Sequence, residues 1–404
     1  MNELARWLGV LCAVAVLQPS LGCSSSKRPD RPQPGEPAPA PPKECPLAAA
    51  VDHDVTLTKA CSPYLQPRGG VDIVAGATLT IEPGVELRFL NLDWLEVGAG
   101  GKPGRLIAKG TEAEPIIFTA VSPGEAPDWT GLWFHSGTLE GSVLSHAVIR
   151  RAGGFNRHSQ PNVYQGCLTL TGVRPGVLSI DHVRVENCVN GGVRLFQSHP
   201  RLSALSFVDS EQGFVADPAS VGQITEPAQY RGVQNNLVLD GTLAESARWL
   251  PQAVPYWVDG HVKVQGERSP TLTLAAGTEL RFAKSSGLIV GENGPGALHV
   301  EGTAEAPVKL TAHKRGEPWD GVRFGKQTAA GTRVAHAEIS ETGGVAALSV
   351  ASGARRVEIG DSSFSGNSAD VAVECGAAPV LGKNQYGSKQ GLSRKAPCPA
   401  PRPR

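Results

Sequence analysis

Apolar and polar residues alternate along most of this chain in very short runs. Leu79 and Ile81 are followed by Val85, Leu87 and Phe89, and the same step of two returns in Leu168 and Leu170, Leu178 and Ile180, Val183 and Val185, and Val193 and Leu195. Short runs of this period, closed off by Gly, Pro, Asn or Asp, predict β-strands, and almost no window carries the 3.6-residue period of a helix. The middle of the chain therefore reads as all-β.

The pattern is also written twice. Leu79 to Phe89 (LTIEPGVELRF) returns as Leu272 to Phe282 (LTLAAGTELRF), and Gly110 with Thr111 returns as Gly302 with Thr303. Trp129 with Gly131 matches Trp319 with Gly321, and Ser145, His146 and Ala147 match Ala335, His336 and Ala337. Matching phrases in constant order and near-constant spacing mean that one structural unit was duplicated. With 48 glycines punctuating the chain, the strands are too short for a sandwich. They suit a parallel β-helix, whose coils of roughly 20 to 25 residues each lay three short strands around a core.

These phrases resemble right-handed parallel β-helix repeat proteins of the kind found among secreted and surface lipoproteins of bacteria. The resemblance rests on Leu79 to Val85, on Leu106 to Thr111 with Pro115 to Thr119, on Trp129 to Phe134, and on their second copies, and it covers nearly all of Tyr64 to Tyr386. It implies an all-β, right-handed parallel β-helix with an internal duplication, and brings no catalytic motif. Each phrase also has a local physical sense. Gly84 and Gly277 can supply a positive φ between two strands. Glu86 to Phe89 and Glu279 to Phe282 turn Leu and Phe inward and leave the charges outside. Trp129 and Trp319, equivalent through the duplication, are expected to pack at a coil corner. Asn187 and its counterpart Asn367 suit left-handed turn positions, where side-chain amides can bond along the stack.

The ends read differently. A short apolar run from Trp7 to Leu17 is a secretory h-region, too short to span a membrane. Leu21 and Gly22 before Cys23 resemble a bacterial lipobox, in which the cysteine is diacylated; ordinary signal cleavage at the same bond is the alternative. Ser24 to Glu44 is rich in proline and poor in apolar residues, a tether able to reach some 60 Å at about 3.1 Å per residue. The expected organisation is a signal peptide (1–22), a lipid-anchor cysteine and tether (23–44), a first β-helix unit (45–240), a second unit (241–395) and a Pro/Arg-rich tail (396–404). The expected location is the bacterial cell envelope, at the outer membrane, held through the lipid.

Of eight cysteines, Cys12 leaves with the signal and Cys23 carries lipid. Six remain, and an even number in an exported chain reads as disulfides. Fifteen pairings are open, and chain order suggests Cys45 with Cys61, Cys167 with Cys188, and Cys375 with Cys398. No Cys-x-x-Cys or His-x-x-x-His spacing points to a metal, and no cofactor motif occurs. Basic and acidic residues balance at 38 each, so no charge excess argues for nucleic acid.

Candidate chemistry is sparse. Asp181, Glu186, Asp209 and Glu211, near His182, Arg184 and Arg194, could converge on one face and read a glycan; polar residues on a solvated strand give the same string. Of these, Asp181, Asp209, Glu211 and Arg194 are the catalytic candidates. Adjacent Asp181 and His182 should point to opposite faces. His146 and His336, kept together with a following alanine, suit a shared packing or turn role as readily as a catalytic one. Trp94, Trp133 and Tyr164 are the candidate glycan contacts. The leading expectation is a non-enzymatic envelope lipoprotein whose β-helix is a binding or structural surface for glycans or other cells; a polysaccharide lyase, hydrolase or epimerase and a surface adhesin are the alternatives.

Overall fold

The computed structural model describes residues 45–66, 68–121, 129–153 and 166–394. They form a right-handed parallel β-helix: short strands wind in three-sided coils, and each strand pairs in parallel with its equivalent one coil on. In the first copy one side stacks Thr78–Ile81 on Arg105–Lys109 and then Ser142–Arg150, and the next stacks Glu86–Phe89 on Ile116–Ala120. The third side stacks Trp94–Val97, Gly131–Phe134, Leu168–Thr171 and Val193–Phe196.

Alternation sets inside from outside. Along Glu86–Phe89 and Glu279–Phe282 the Leu and Phe are buried, while both glutamates and both arginines face out. Each Val, Leu or Phe so buried contributes about 1.5–3 kcal/mol. Trp129 and Trp319 are wholly buried and lie flat on Phe89 and Phe282, with ring centroids 4.2 and 4.0 Å apart. Their indole N–H groups donate to the carbonyls of Arg150 and Ser340, so the duplicated tryptophans are corner packing. Gly84 and Gly277 take φ of 73° and 78°. The two asparagines divide: Asn187 adopts a left-handed φ of 52°, whereas beside Asn367 it is Gly366 that does, and the Asn367 amide instead binds Thr342 and Ile339 of the preceding coil.

The ladders continue through the region between the copies, but not in phase. The third-side ladder runs on from Val193–Phe196 through Phe214–Ala216, Asn236–Leu243 and Tyr256–Val264 to Glu279–Phe282. Glu279–Phe282 is the repeat of Glu86–Phe89, which lies on the second side. The second copy is therefore rotated by one side relative to the first. The change is made where Asn236–Leu243 and Tyr256–Val264 each bend across two sides, with a register shift between Leu239 and Gly241. Just before it, a single helical turn, Pro218–Val221, replaces a strand. Its Asp217 cap accepts from the backbone N–H groups of Ala219 and Ser220, a start that Asp-Pro favours.

Two disulfides staple consecutive coils, Cys45 to Cys61 and Cys167 to Cys188, each with Cα atoms 5.7 Å apart. Cys375 is also disulfide-bonded; Cys398, its expected partner, lies outside the described residues. So do Cys23 and the segments expected to be a signal peptide, a tether and a tail.

Candidate functional site

Winding separates the four catalytic candidates. Asp181 ends the straight part of a strand at the corner between the first and second sides. Arg194 sits on the third side, buried, with its guanidinium 5.7 Å from the Phe196 ring centroid. Asp209 and Glu211 share the turn that leads from Ser206–Val208 to Phe214–Ala216. Only the last two come together, as near neighbours in one turn; Asp181 and Arg194 belong to other positions around the coil. Glu186 is engaged by Arg184 on its own strand.

Asp209 and Glu211 line a groove of about 590 Å³ with Gln212, Asn235, Trp257 and His313, a volume within the usual range of ligand sites. Its floor is aromatic. Trp257 projects outward from the third-side ladder and stacks on His313, ring centroids 4.6 Å apart and planes 17° apart. Its rim is polar: Asp209, held in a left-handed turn at φ 48°, lies 3.7 Å from the Arg231 guanidinium. Burial pushes the His313 imidazole below its ordinary value of 6.5, with Lys314 and Arg281 acting in the same direction. Gln212 Oε1, Asn235 Oδ1, Trp257 Nε1 and His313 Nδ1 are all buried without a hydrogen-bond partner. An aromatic plate beside unpaired amide oxygens and ring nitrogens suits a sugar ring, which offers an apolar face and hydroxyls at its edge.

A second cluster sits at the corner between the first and second sides. His146 and His182 occupy equivalent places in successive coils, because Ser145 pairs with Asp181 and Ala147 with Val183. Both take left-handed φ, 47° and 50°, and their rings stack at 4.6 Å. The expected opposition of Asp181 and His182 fails here for a physical reason: alternation holds along extended backbone, and His182 is not extended. Its Nδ1 lies 2.9 Å from Asp181 Oδ2, while Asp181 Oδ1 accepts from Ser203 of the following coil at 2.6 Å. Burial raises the Asp181 carboxyl, but the bonds from Ser203 and His182 and the nearby His146 outweigh it and leave the group below the usual carboxylate range.

His336 repeats the left-handed corner at φ 49° in the second copy, where the next coil presents Asp361 instead of a second imidazole. The duplicated histidines share a backbone task as well. A Cβ on Gly110 or Gly302 would come within 2.2 or 2.1 Å of the carbonyl oxygen of His146 or His336, so the corner needs glycine beneath it.

Among the glycan-contact candidates, Trp94 lies over Gly70, half-buried, and donates to Asp72 Oδ1 at 3.0 Å. Trp133 is half-buried beside His135, 5.8 Å between rings, and Tyr164 lies outside the described residues. Trp133 stands on the same outward column as Trp257, which the ladders trace through Thr169, Arg194, Val215 and Leu237. Of the groove's residues the sequence singled out only Asp209 and Glu211; Gln212, Asn235, Trp257 and His313 were missed, since Trp257 and His313 belong to later coils and no local signal joins them to the acids.

No protein-family model matches this chain, and no curated protein matches it. A solved structure that does match is that of a TibC-catalysed, hyper-glycosylated TibA fragment, 10% identical, aligned over 87% of this chain and 100% of the fragment with a TM-score of 0.21. A score that low carries no argument about function.

Proposed function

We propose that this protein is an exported cell-envelope lipoprotein, anchored through Cys23, that binds a polysaccharide along its β-helix with the Trp257 groove as the principal contact. One observation carries the reading. Of the ten buried side-chain polar atoms without a partner among the described residues, four belong to residues lining this groove. Folded proteins leave few such groups, so their concentration beside a stacked aromatic pair supports this groove as the place where a hydroxyl-rich ligand binds.

Affinity electrophoresis of the mature chain through neutral glucans, chitin fragments, alginate and pectate tests the proposal. Retardation by one class is expected, weakened about tenfold or more by Trp257→Ala and by Asn235→Ala, a loss on the order of 1.4 kcal/mol. Retardation by none, or retardation that both variants keep, overturns it. New reducing ends or unsaturated products during the same incubation would replace binding with turnover and restore the lyase or hydrolase reading, with Asp209 and Glu211 as its carboxylates.

A further inference from the structure

The corner cluster lies apart from the Trp257 groove, and its residue types suit a different ligand. His146, Asp181 and His182 each offer one donor atom, and these donors lie within 4.8 Å of one another. We propose that the three side chains bind a Zn²⁺ ion, with Ser203 as the positioning residue for the carboxylate.

Three features support this set. First, the fold fixes the backbone of every ligand. His146 and His182 are held in left-handed corners one coil apart, and Asp181 is the last residue before the second corner, so no loop must be ordered when the ion arrives. Second, the carboxylate has a hydrogen-bonded support. The Ser203 hydroxyl holds Asp181 Oδ1 and leaves Oδ2 toward the imidazoles, the outer-shell arrangement that aligns metal ligands. Third, the donors can close. Bonds of about 2.0–2.1 Å in a tetrahedral site put donors about 3.3 Å apart. The His182 side chain is 56% exposed, so its ring is free to turn out of the stack while its backbone stays in place. Two imidazoles and one carboxylate favour zinc over calcium or magnesium, which take oxygen donors. Three protein ligands leave a fourth position open toward solvent.

The linear spacing of these residues carries no metal signature. The donors meet only because two coils stack, which explains how a search for local ligand motifs passes them by. The second copy provides an internal control, for His336 has the same corner but faces Asp361 in place of an imidazole.

Chelator-stripped full-length chain without a histidine tag, titrated with Zn²⁺ in an isothermal calorimeter, tests the site. One ion per chain is expected. His146→Asn and His182→Asn remove the donors yet tolerate a left-handed φ, and each should weaken zinc at least tenfold with the circular dichroism spectrum unchanged. Ser203→Ala should weaken it less, and Ser203→Thr should restore it. His336→Asn should leave it unaltered. No uptake by the wild type at submillimolar Zn²⁺, or equal affinity in the two corner variants and the wild type, overturns the proposal.

Discussion

Trp129 lies face to face on Phe89 with the ring planes 8° apart, and Trp319 repeats the arrangement on Phe282 at 6°. Each indole is wholly buried and ties two coils together through its N–H. Trp129→Ala or Trp319→Ala should cost about 3–5 kcal/mol, and the surviving carbonyl of Arg150 or Ser340 loses its donor. Because coils contact only their neighbours, hydrogen exchange should accelerate around the altered copy and stay slow in the other. Equal acceleration in both would contradict that independence.

The groove histidine predicts a pH response. The His313 imidazole is held below its ordinary value by burial first, then by Lys314 and Arg281, so the unfolded chain takes up a proton that the folded chain refuses. Stability is fully present above pH 6.5 and falls as pH drops from there toward the depressed folded value, below which His313 adds no further loss. Denaturant midpoints measured from pH 8 to pH 5 should show a shallower decline in His313→Gln than in the wild type.

The first disulfide closes a loop with a sequence separation of 16. Replacing Cys45 and Cys61 together by alanine should cost about 3 kcal/mol and open the first coils to exchange, while coils beyond Cys167 and Cys188 keep their protection. Reduction of the whole protein should likewise loosen the ends before the middle.

Growth with a clickable palmitate analogue should label the wild type and not Cys23→Ala. Equal labelling of the two, or none of either, would overturn the lipid anchor.

Much of the fold was legible because its signals are local. Period-two alternation at Leu87 and Phe89, glycine at Gly84 and Gly277, and the paired tryptophans each record a demand made within a few residues. The sites were not legible in the same way. Reading Asp181 and His182 as opposed assumed extended backbone, and the left-handed corner at His182 removes that assumption. Trp257 meets Asp209 and Asn235 only through coil register, a long-range quantity that depends on the length of every intervening turn. Arg194 stands on the same outward column as Trp257 but three coils earlier, and it is buried there rather than lining the groove.

The one-side rotation between the copies has a consequence for any partner. Twin residues such as His146 and His336 sit on different edges of the coil, so a flat surface pressed against one edge meets a single member of each pair. Gene duplication here lengthened the molecule without doubling its epitope, and each copy was left free to diversify the edge that its twin does not share.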